Sequence, residues 1–130
     1  MINILTDSTA DIPEELRSKY QIDTIPMYIQ INGRVYKDKE DIDAQMLFDQ
    51  VSKTGKYPTT SAPSPADFAK FFDQKEPSIY IGVSSNLSST FKNAQLARRE
   101  MNGSKVEIID SLSFSTGYGQ VVLQAAEWRN

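Results

Sequence analysis

Short apolar runs alternate with amphipathic stretches along the chain, and this alternation predicts its architecture. Residues 2–6 are predicted as a short buried strand and residues 105–109 as a further strand. Residues 79–83 form a continuous apolar run rich in β-branched residues, which is typical of a central parallel strand covered on both faces. Between such runs, apolar residues three and four positions apart indicate helices. The alternation of strands and helices predicts an α/β fold with a mostly parallel, right-handedly wound sheet and helices on both of its faces.

The first three predicted helices have recognisable start signals. A helix over residues 13–20 begins with proline, which is favoured at the first helical position. Asp43 is a candidate N-cap of a second helix that ends at Gly55, and Ser64-Pro65 again combines a cap with a first-turn proline. The apolar faces of the second and third helices are predicted at Ala44, Leu47, Phe48, Val51, Phe68, Phe71 and Phe72.

Two further helices are predicted in the second half of the chain. The fourth has Ser88 as its predicted N-cap and closes at Asn102-Gly103. The fifth runs to Asn130 without a Gly or Pro stop signal. The apolar faces of these two helices are predicted at Leu87, Phe91, Ala94, Ala97, Met101, Tyr118, Val121, Val122 and Ala125.

A β-hairpin is predicted in the first half of the chain. Residues 22–31 have an extended pattern interrupted by Pro26, and a proline that cannot donate to a sheet ladder favours an edge position. Asn32-Gly33 is a dipeptide favoured in type I′ turns, so residues 34–36 are expected to return as the second strand. Residues 57–63 are predicted as a loop.

The chain has 130 residues, a length typical of a single domain, and its composition excludes several classes of function. A net charge of −3 argues against a nucleic-acid surface. The chain has no Cys and no His, which excludes cysteine nucleophiles, thiolate or imidazole metal ligands, and catalytic triads with a histidine base. It has neither a signal-peptide pattern nor a run approaching about 20 apolar residues, so a cytoplasmic protein without a membrane span is expected.

Three polar segments that follow predicted strands are the candidate binding loops: Asp7-Ser8-Thr9, Ser84-Ser85-Asn86 and Asp110-Ser111. Ligands of open α/β sheets bind outside the carboxyl ends of the strands, so these loops are expected to share one crevice. Hydroxyl and helix N–H groups can hold an anionic head group there without acting as bases or nucleophiles. Each serine taken singly is more typical of a turn or a helix cap than of a binding site. Spacing alone does not place Thr59-Thr60-Ser61, which precedes a helix, beside the three loops.

Other chemistries have weaker support in the sequence. Asp7 ends the first strand, where an aspartyl nucleophile of a phosphotransfer enzyme can lie, but the next acidic residue is four positions on rather than two. The acidic run that contains Asp38, Glu40, Asp41 and Asp43 lacks the glycine of a tight calcium loop, and is more typical of a solvated approach to a helix. Gly117-Tyr118-Gly119 lacks the third glycine of a dinucleotide-binding fingerprint.

Three motifs together resemble the DegV family in order and approximate separation. They are Asp7-Ser8-Thr9-Ala10-Asp11-Ile12-Pro13, then Thr60-Ser61-Ala62-Pro63-Ser64-Pro65 with Asp67-Phe68, and Ser84-Ser85-Asn86-Leu87-Ser88-Ser89-Thr90. With the strand that ends in Asp110-Ser111, the resemblance covers essentially the whole chain. It implies that residues 1–130 form a single DegV-like amino-terminal α/β domain, and that the carboxyl-terminal domain that encloses the lipid is absent.

The resemblance also implies a function. DegV proteins are bacterial, non-catalytic carriers that hold a long-chain fatty acid by its carboxylate and present it to a separate fatty acid kinase, without a cofactor or metal. By this analogy Thr60 and Ser85 are hydroxyl donors to the carboxylate, with Ser61 and Ser84 as their neighbours. The alternatives are a truncated fragment that binds no ligand and, with less support, the phosphotransfer enzyme that uses Asp7.

Departures from the DegV pattern bear on affinity. Ala62 stands where the family commonly has Gln, and Ser89 where it commonly has Gly. The second domain of the family also supplies basic and imidazole groups near the carboxylate. Burial of the tail contributes about 0.8 kcal/mol per methylene, against about 1.5–3 kcal/mol for each hydrogen bond to the head group. Loss of one tunnel wall is therefore expected to leave weak binding, or binding by a homodimer that covers the open face.

Overall fold

The computed structural model describes residues 1–129, which form a four-stranded parallel sheet, a three-stranded antiparallel sheet and the helices that cover them. The strands are β1 (Asn3–Asp7), β2 (Ile22–Ile25), β3 (Tyr28–Ile31), β4 (Arg34–Lys37), β5 (Thr59–Ser61), β6 (Ser78–Gly82) and β7 (Val106–Asp110). The helices are α1 (Glu14–Lys19), α2 (Ala44–Thr54), α3 (Pro65–Phe71), α4 (Thr90–Glu100) and α5 (Thr116–Arg129), and a 3-10 turn covers Ser8–Ala10. The predicted continuation of the last helix to Asn130 lies outside the described residues.

The parallel sheet has the strand order β2-β1-β6-β7 and a hydrophobic core on each face. The core on one face consists mainly of side chains from α3, α4 and the sheet: Leu5, Phe68, Phe72, Tyr80, Phe91, Ala94, Ala97 and Val106. The core on the other face joins the sheet to α5: Ile4, Ile22, Ile81, Val83, Tyr118, Val122 and Ala126. A mostly parallel sheet with helices on both faces is therefore confirmed.

The antiparallel sheet has the order β4-β3-β5 and contains the predicted hairpin. Asn32 and Gly33 both have positive φ, 53° and 76°, as a type I′ turn requires. Pro26 lies between β2 and β3, so the predicted extended segment is two strands that belong to different sheets. The edge prediction is correct for β2 but wrong for β3, which pairs on both sides because proline does not interrupt its own residues.

Two predicted boundaries are wrong. The predicted loop over residues 57–63 contains β5, because its backbone pairs with β3, a long-range contact without a local sequence pattern. The fourth helix begins at Thr90, and Ser88 is not its N-cap. Backbone N–H groups of Leu87 and Ser88 donate to the Ser84 carbonyl at 3.0 and 3.2 Å, and this turn delays the start of the helix.

Local capping signals are confirmed where the cap bonds within its own turn. The Asp43 carboxylate accepts the Met46 N–H at 2.7 Å, and α2 ends at Gly55, which has a φ of 67°. Ser64 accepts the Asp67 N–H, while the Asp67 carboxylate accepts the Ser64 N–H and so lowers the pKa of Asp67. The helix predicted behind Asp43 forms, although 67% of its Phe48 remains exposed.

A close backbone approach brings α5 against the 3-10 turn that follows β1. A Cβ added to Gly119 would lie 2.4 Å from the Ala10 carbonyl oxygen, so only glycine permits this contact. Gly119 therefore serves the packing of α5, and its neighbour Tyr118 is fully buried. Gly117 leaves room for the Ser113 side chain instead. This packing places the first turn of α5 next to the loop after β1.

Replacement of Ser64 by alanine is expected to lower the free energy of unfolding by about 1 kcal/mol, because the capping box of α3 loses its side-chain bond. The measurement is urea denaturation followed by circular dichroism. Ser89→Ala is the matched control, since Ser89 occupies the N-cap position of α4 without a side-chain cap bond. An equal loss of stability in both variants would contradict this role of Ser64.

Candidate functional site

The candidate site lies where the order of the parallel strands reverses direction. From β1 the chain goes to β2 on one side and later returns to β6 on the other side of β1. The segments that leave the carboxyl ends of β1 and β6 therefore diverge and open a crevice between them, which is the usual ligand site of such sheets. The 3-10 turn follows β1 at this edge, and residues 83–89 follow β6.

A buried carboxylate at the end of β1 organises this edge. Asp7 has no exposed surface. Its Oδ2 accepts hydrogen bonds from the Tyr80 hydroxyl at 2.9 Å and the Val83 N–H at 3.2 Å. Its Oδ1 accepts from the Tyr118 hydroxyl at 2.6 Å and from the backbone N–H of Thr9 at 3.1 Å, and the Thr9 hydroxyl also donates to it. Asp7 thus joins β1 to β6, α5 and the 3-10 turn.

The two tyrosines at this carboxylate remain neutral hydrogen-bond donors. Burial raises the pKa of Tyr80 well above its ordinary value, and the negative charge of Asp7 raises it further. Burial and the same charge also raise the pKa of Tyr118. Neither phenol therefore loses its proton in the physiological pH range.

The arrangement counts against the phosphotransfer hypothesis. An aspartyl nucleophile needs a carboxylate oxygen that can reach a substrate. Both oxygens of Asp7 are occupied by donors of the fold, and the residue is fully buried. In this structure the Asp7 carboxylate therefore bonds within the fold through both of its oxygens.

A cavity of about 370 Å³ opens above this network. It lies at the small end of the usual range for small-molecule sites. Its lining combines hydroxyl groups, one carboxylate and apolar side chains: Thr9, Asp11, Met27, Thr60, Val83, Leu87, Ser88, Phe114 and Ser115. We call it the Thr60 cavity.

Thr60 reaches this cavity through the pairing of β5 with β3. It lies opposite Ile29 in the antiparallel ladder, and its side chain lines the same cavity as Leu87 and Ser88 from the loop after β6. Adjacent residues of a strand point to opposite sides, so Ser61, which is exposed, is not in the described lining. The fold therefore brings one hydroxyl of the unplaced Thr59-Thr60-Ser61 segment to the loop that contains Ser84 and Ser85.

Ser84 and Ser85 occupy different environments in that loop. Ser84 is buried, its N–H donates to the Ser113 carbonyl at 2.9 Å, and its hydroxyl accepts the Asn86 N–H at 3.2 Å. Ser84 thereby shapes the turn. Ser85 is exposed and is not among the described residues of the cavity lining.

Asp110 holds Ser85 from the neighbouring strand. The Ser85 N–H donates to Asp110 Oδ1 at 3.2 Å, and the Leu112 N–H donates to the same oxygen at 3.1 Å. Slight burial would raise the pKa of Asp110, but the bonds from Ser85 and Leu112 lower it below its ordinary value. A second negative charge therefore lies at this edge of the sheet, beside one of the predicted carboxylate donors.

Several residues of the cavity were not predicted as site residues. Met27 lies between the two sheets, and its N–H donates to the Ser8 hydroxyl at 3.0 Å. Leu87 and Phe114 are apolar side chains in otherwise polar loops, and 63% and 64% of their surfaces are exposed. Such exposed apolar residues after the strands of an α/β sheet are the sequence signal that would have found this part of the site.

A second, apolar groove of about 670 Å³ lies between α5 and the part of the sheet near β7. The side chains that line it are apolar apart from Gln120, Gln124 and Arg129. Four of the apolar ones are exposed, namely Ile2, Ile109, Val121 and Trp128, and the exposed fraction reaches 82% at Trp128. This part of the sheet face is therefore left open by the described residues.

Among residues 1–129, no three acidic side chains are placed so that they could hold a metal ion together. In the acidic run before α2, Asp43 caps the helix and Asp41 accepts the Lys37 N–H at 2.9 Å. Residues 1–129 contain no helix that is long and apolar enough to cross a bilayer.

Comparison with known sequences gives one consistent family. A family model described as "Uncharacterised protein, DegV family" matches residues 1–130. A DegV domain-containing protein from Caldanaerobacter subterraneus is 39% identical over 129 residues, which cover 96% of this chain and 46% of that relative. The chain therefore spans about half the length of the curated relatives it matches.

Comparison with solved structures agrees with the sequence comparison. A DegV family protein from Thermus thermophilus, described by its fatty acid binding, superposes with a TM-score of 0.87 at 35% identity, over 98% of this chain and 47% of that one. DegV from Bacillus subtilis, described as a fatty acid binding protein, superposes with a TM-score of 0.90 at 30% identity, over 98% of this chain and 47% of that one.

Replacement of Tyr118 by phenylalanine is expected to lower the free energy of unfolding by about 1–3 kcal/mol, because a charged, buried acceptor loses one of its donors. Urea denaturation measures this change. Tyr57→Phe is the matched control, since 84% of Tyr57 is exposed, and it should stay within about 0.5 kcal/mol of the wild type. A Tyr118→Phe variant as stable as the control would argue against the central role of Asp7.

Proposed function

Since this chain belongs to the DegV family, we propose that it is a carrier that binds a long-chain fatty acid by its carboxylate and does not change it chemically. The observation that carries the proposal is the Thr60 cavity, in which a hydroxyl and exposed apolar side chains meet at the switch point of the sheet. Relatives at 35% and 30% identity with the same fold are described as fatty acid binders.

The head group is proposed to lie against Thr60 and the loop after β6. Thr60 supplies one of the hydroxyls of the cavity, and Ser85 supplies a second donor from the neighbouring turn, two residues before Leu87 of the lining. Ser61 and Ser84, the sequence neighbours of these two donors, are proposed to support them. Hydrogen bonds from neutral hydroxyls suit a carboxylate because they bind its charge without transferring a proton.

The beginning of the acyl tail is proposed to lie against Leu87 and Phe114. These side chains are mostly exposed, and an acyl chain would remove part of their surface from water. Each buried methylene contributes about 0.8 kcal/mol, so a long tail contributes more to affinity than two or three hydroxyl bonds. The cavity of about 370 Å³ is small for a whole fatty acid, so further tail burial needs a wall from outside residues 1–129.

The source of that wall is part of the proposal. The curated relatives extend well beyond the matched segment, which is 46% of the Caldanaerobacter subterraneus protein, and a carboxyl-terminal domain that encloses lipid is the expected cover in the family. For the 130-residue chain alone, a second copy that covers the open face is proposed. Presentation of the lipid to a fatty acid kinase, in the cytoplasm, completes the proposal and rests on the motif resemblance alone.

Replacement of Thr60 or Ser85 by alanine is expected to weaken binding of palmitic acid, each by roughly tenfold, because a bond to a charged head group is lost. The measurement is displacement of a fluorescent fatty acid. Ser64→Ala is the control, since its hydroxyl caps α3 and its loss tests the effect of destabilisation alone. Equal affinity in all three variants would remove Thr60 and Ser85 from the site.

Native mass spectrometry of the purified chain is expected to show a lipid-sized adduct that is released under denaturing conditions. Light scattering with and without palmitic acid tests the second copy, because a dimer that covers the tail should be favoured by ligand. A monomer that stays unchanged would contradict the dimer. A chain that carries no adduct and binds no added fatty acid would instead support the non-binding fragment.

A further inference from the structure

Asp11 is the meeting point of three chain segments at the rim of the Thr60 cavity. Its Oδ1 accepts a hydrogen bond from the Lys39 ammonium at 2.7 Å. Its Oδ2 accepts the Ser115 hydroxyl at 2.8 Å. The Lys39 ammonium also donates to the Ser8 carbonyl at 2.7 Å. The turn after β1, the segment after β4 and the segment before α5 are therefore joined at one carboxylate.

The three joined residues share an unusual backbone conformation. Asp11, Lys39 and Ser115 have φ values of 50°, 63° and 52°, in the left-handed region that non-glycine residues seldom adopt. Such conformations persist only where the surroundings over-determine them, and they concentrate at binding sites. Here the strained residues contact one another through their side chains, which marks the rim as a built feature.

Asp11 separates the cation from the Thr60 cavity. Asp11 and Ser115 line that cavity, whereas Lys39 lines a neighbouring cavity of about 470 Å³, of which Asp11 is also a wall. Met27 fixes this geometry because its carbonyl accepts the N–H of Asp38, the residue before Lys39, at 2.9 Å. The Asp11 carboxylate therefore lies between the Lys39 ammonium and the Thr60 cavity, where the head group is proposed to bind.

Without Lys39, the charges at the rim would repel an anion. Asp11 is the only charged side chain among the described residues that line the Thr60 cavity. Asp110 adds a second negative charge beside Ser85. A fatty acid carboxylate would thus enter a negatively charged environment, and a cation at this rim would offset that repulsion.

We propose that Lys39 is the cation that compensates the carboxylate of the bound fatty acid, and that Asp11 holds it at the rim until the ligand arrives. This inference rests on the proposed function and adds its selectivity for a charged head group. Lys39 and Asp11 retain 41% and 46% exposure of their side chains, so their pair is weak and an incoming carboxylate can share or replace Asp11 as its partner. Asp11 keeps its bond to Ser115 in either state.

The chain offers a matched control for this pair. Lys37 forms an ion pair with Glu40 on the same segment, with an N–O distance of 3.5 Å and 49% exposure of each side chain. Lys37 is not among the described residues that line either cavity. Its replacement changes the net charge of the segment by the same amount but leaves the rim intact.

The test compares palmitic acid with hexadecanol, which has the same tail length and a neutral head, by displacement of a fluorescent fatty acid. Lys39→Gln is expected to weaken palmitic acid binding roughly fivefold, and Asp11→Asn to strengthen it by a similar factor, because the first removes the cation and the second frees it. Binding of hexadecanol should be unchanged in both variants. Lys37→Gln should alter neither ligand.

The outcomes separate the inference from the proposed function. Asn tolerates the left-handed conformation, so Asp11→Asn is expected to fold, and circular dichroism checks each variant. Wild-type protein that binds palmitic acid with an affinity insensitive to Lys39→Gln and Asp11→Asn overturns the inference alone. Equal effects on palmitic acid and hexadecanol also overturn it, because they indicate a structural role. Wild-type protein that binds neither ligand overturns both the inference and the function on which it rests.

Discussion

The carboxylate of Asp7 is the group on which the binding edge of the sheet depends. A fully buried charge is tolerated only when hydrogen bonds replace its water, and Asp7 receives them from two tyrosines, two backbone N–H groups and the Thr9 hydroxyl. These donors come from three other segments, so the satisfaction of one charge on β1 sets the positions of β6, α5 and the 3-10 turn relative to β1. The proposed site is the surface of this network, and the Asp7 carboxylate is buried beneath that surface.

The buried network and the surface of the site therefore have different roles, and this explains why the site combines weakly interacting polar groups with apolar side chains. The strongest charge interactions are used inside, to hold the loops, whereas the Thr60 cavity presents hydroxyls, exposed Leu87 and Phe114, and the Asp11–Lys39 pair at its rim. Such a surface can hold an amphipathic ligand and release it again, as a carrier requires. In the proposed function, most of the affinity for a fatty acid comes from its tail, so the open side of the cavity would limit binding by this chain alone.

Much of the fold could be predicted because its signals are local. Asp43, Ser64 and Asn32-Gly33 act within their own turns, and the apolar runs of β1 and β6 indicate burial on both faces. One face of β7 stays open, because 46% of Ile109 is exposed. Some predictions failed where distant segments decide. The strand β5 exists because β3 lies beside it. The Ser88 prediction failed for a local reason, since the turn from Ser84 extends to Ser88 and α4 begins only after it.

The sequence by itself determined the alternation of elements, the exclusion of cysteine and histidine chemistry, and the hydroxyl-rich motifs, since each follows from residue type and short-range spacing. Only the tertiary structure decided which polar side chains lie close to one another. Thr60 and residues of the loop after β6 line one cavity. The Ser85 N–H donates to Asp110, and Lys39 donates to Asp11, which lies 28 positions away in the sequence. The physical reason is that such contacts arise from strand pairing and from the satisfaction of buried charge, which join residues far apart in the chain and leave no periodic trace along it.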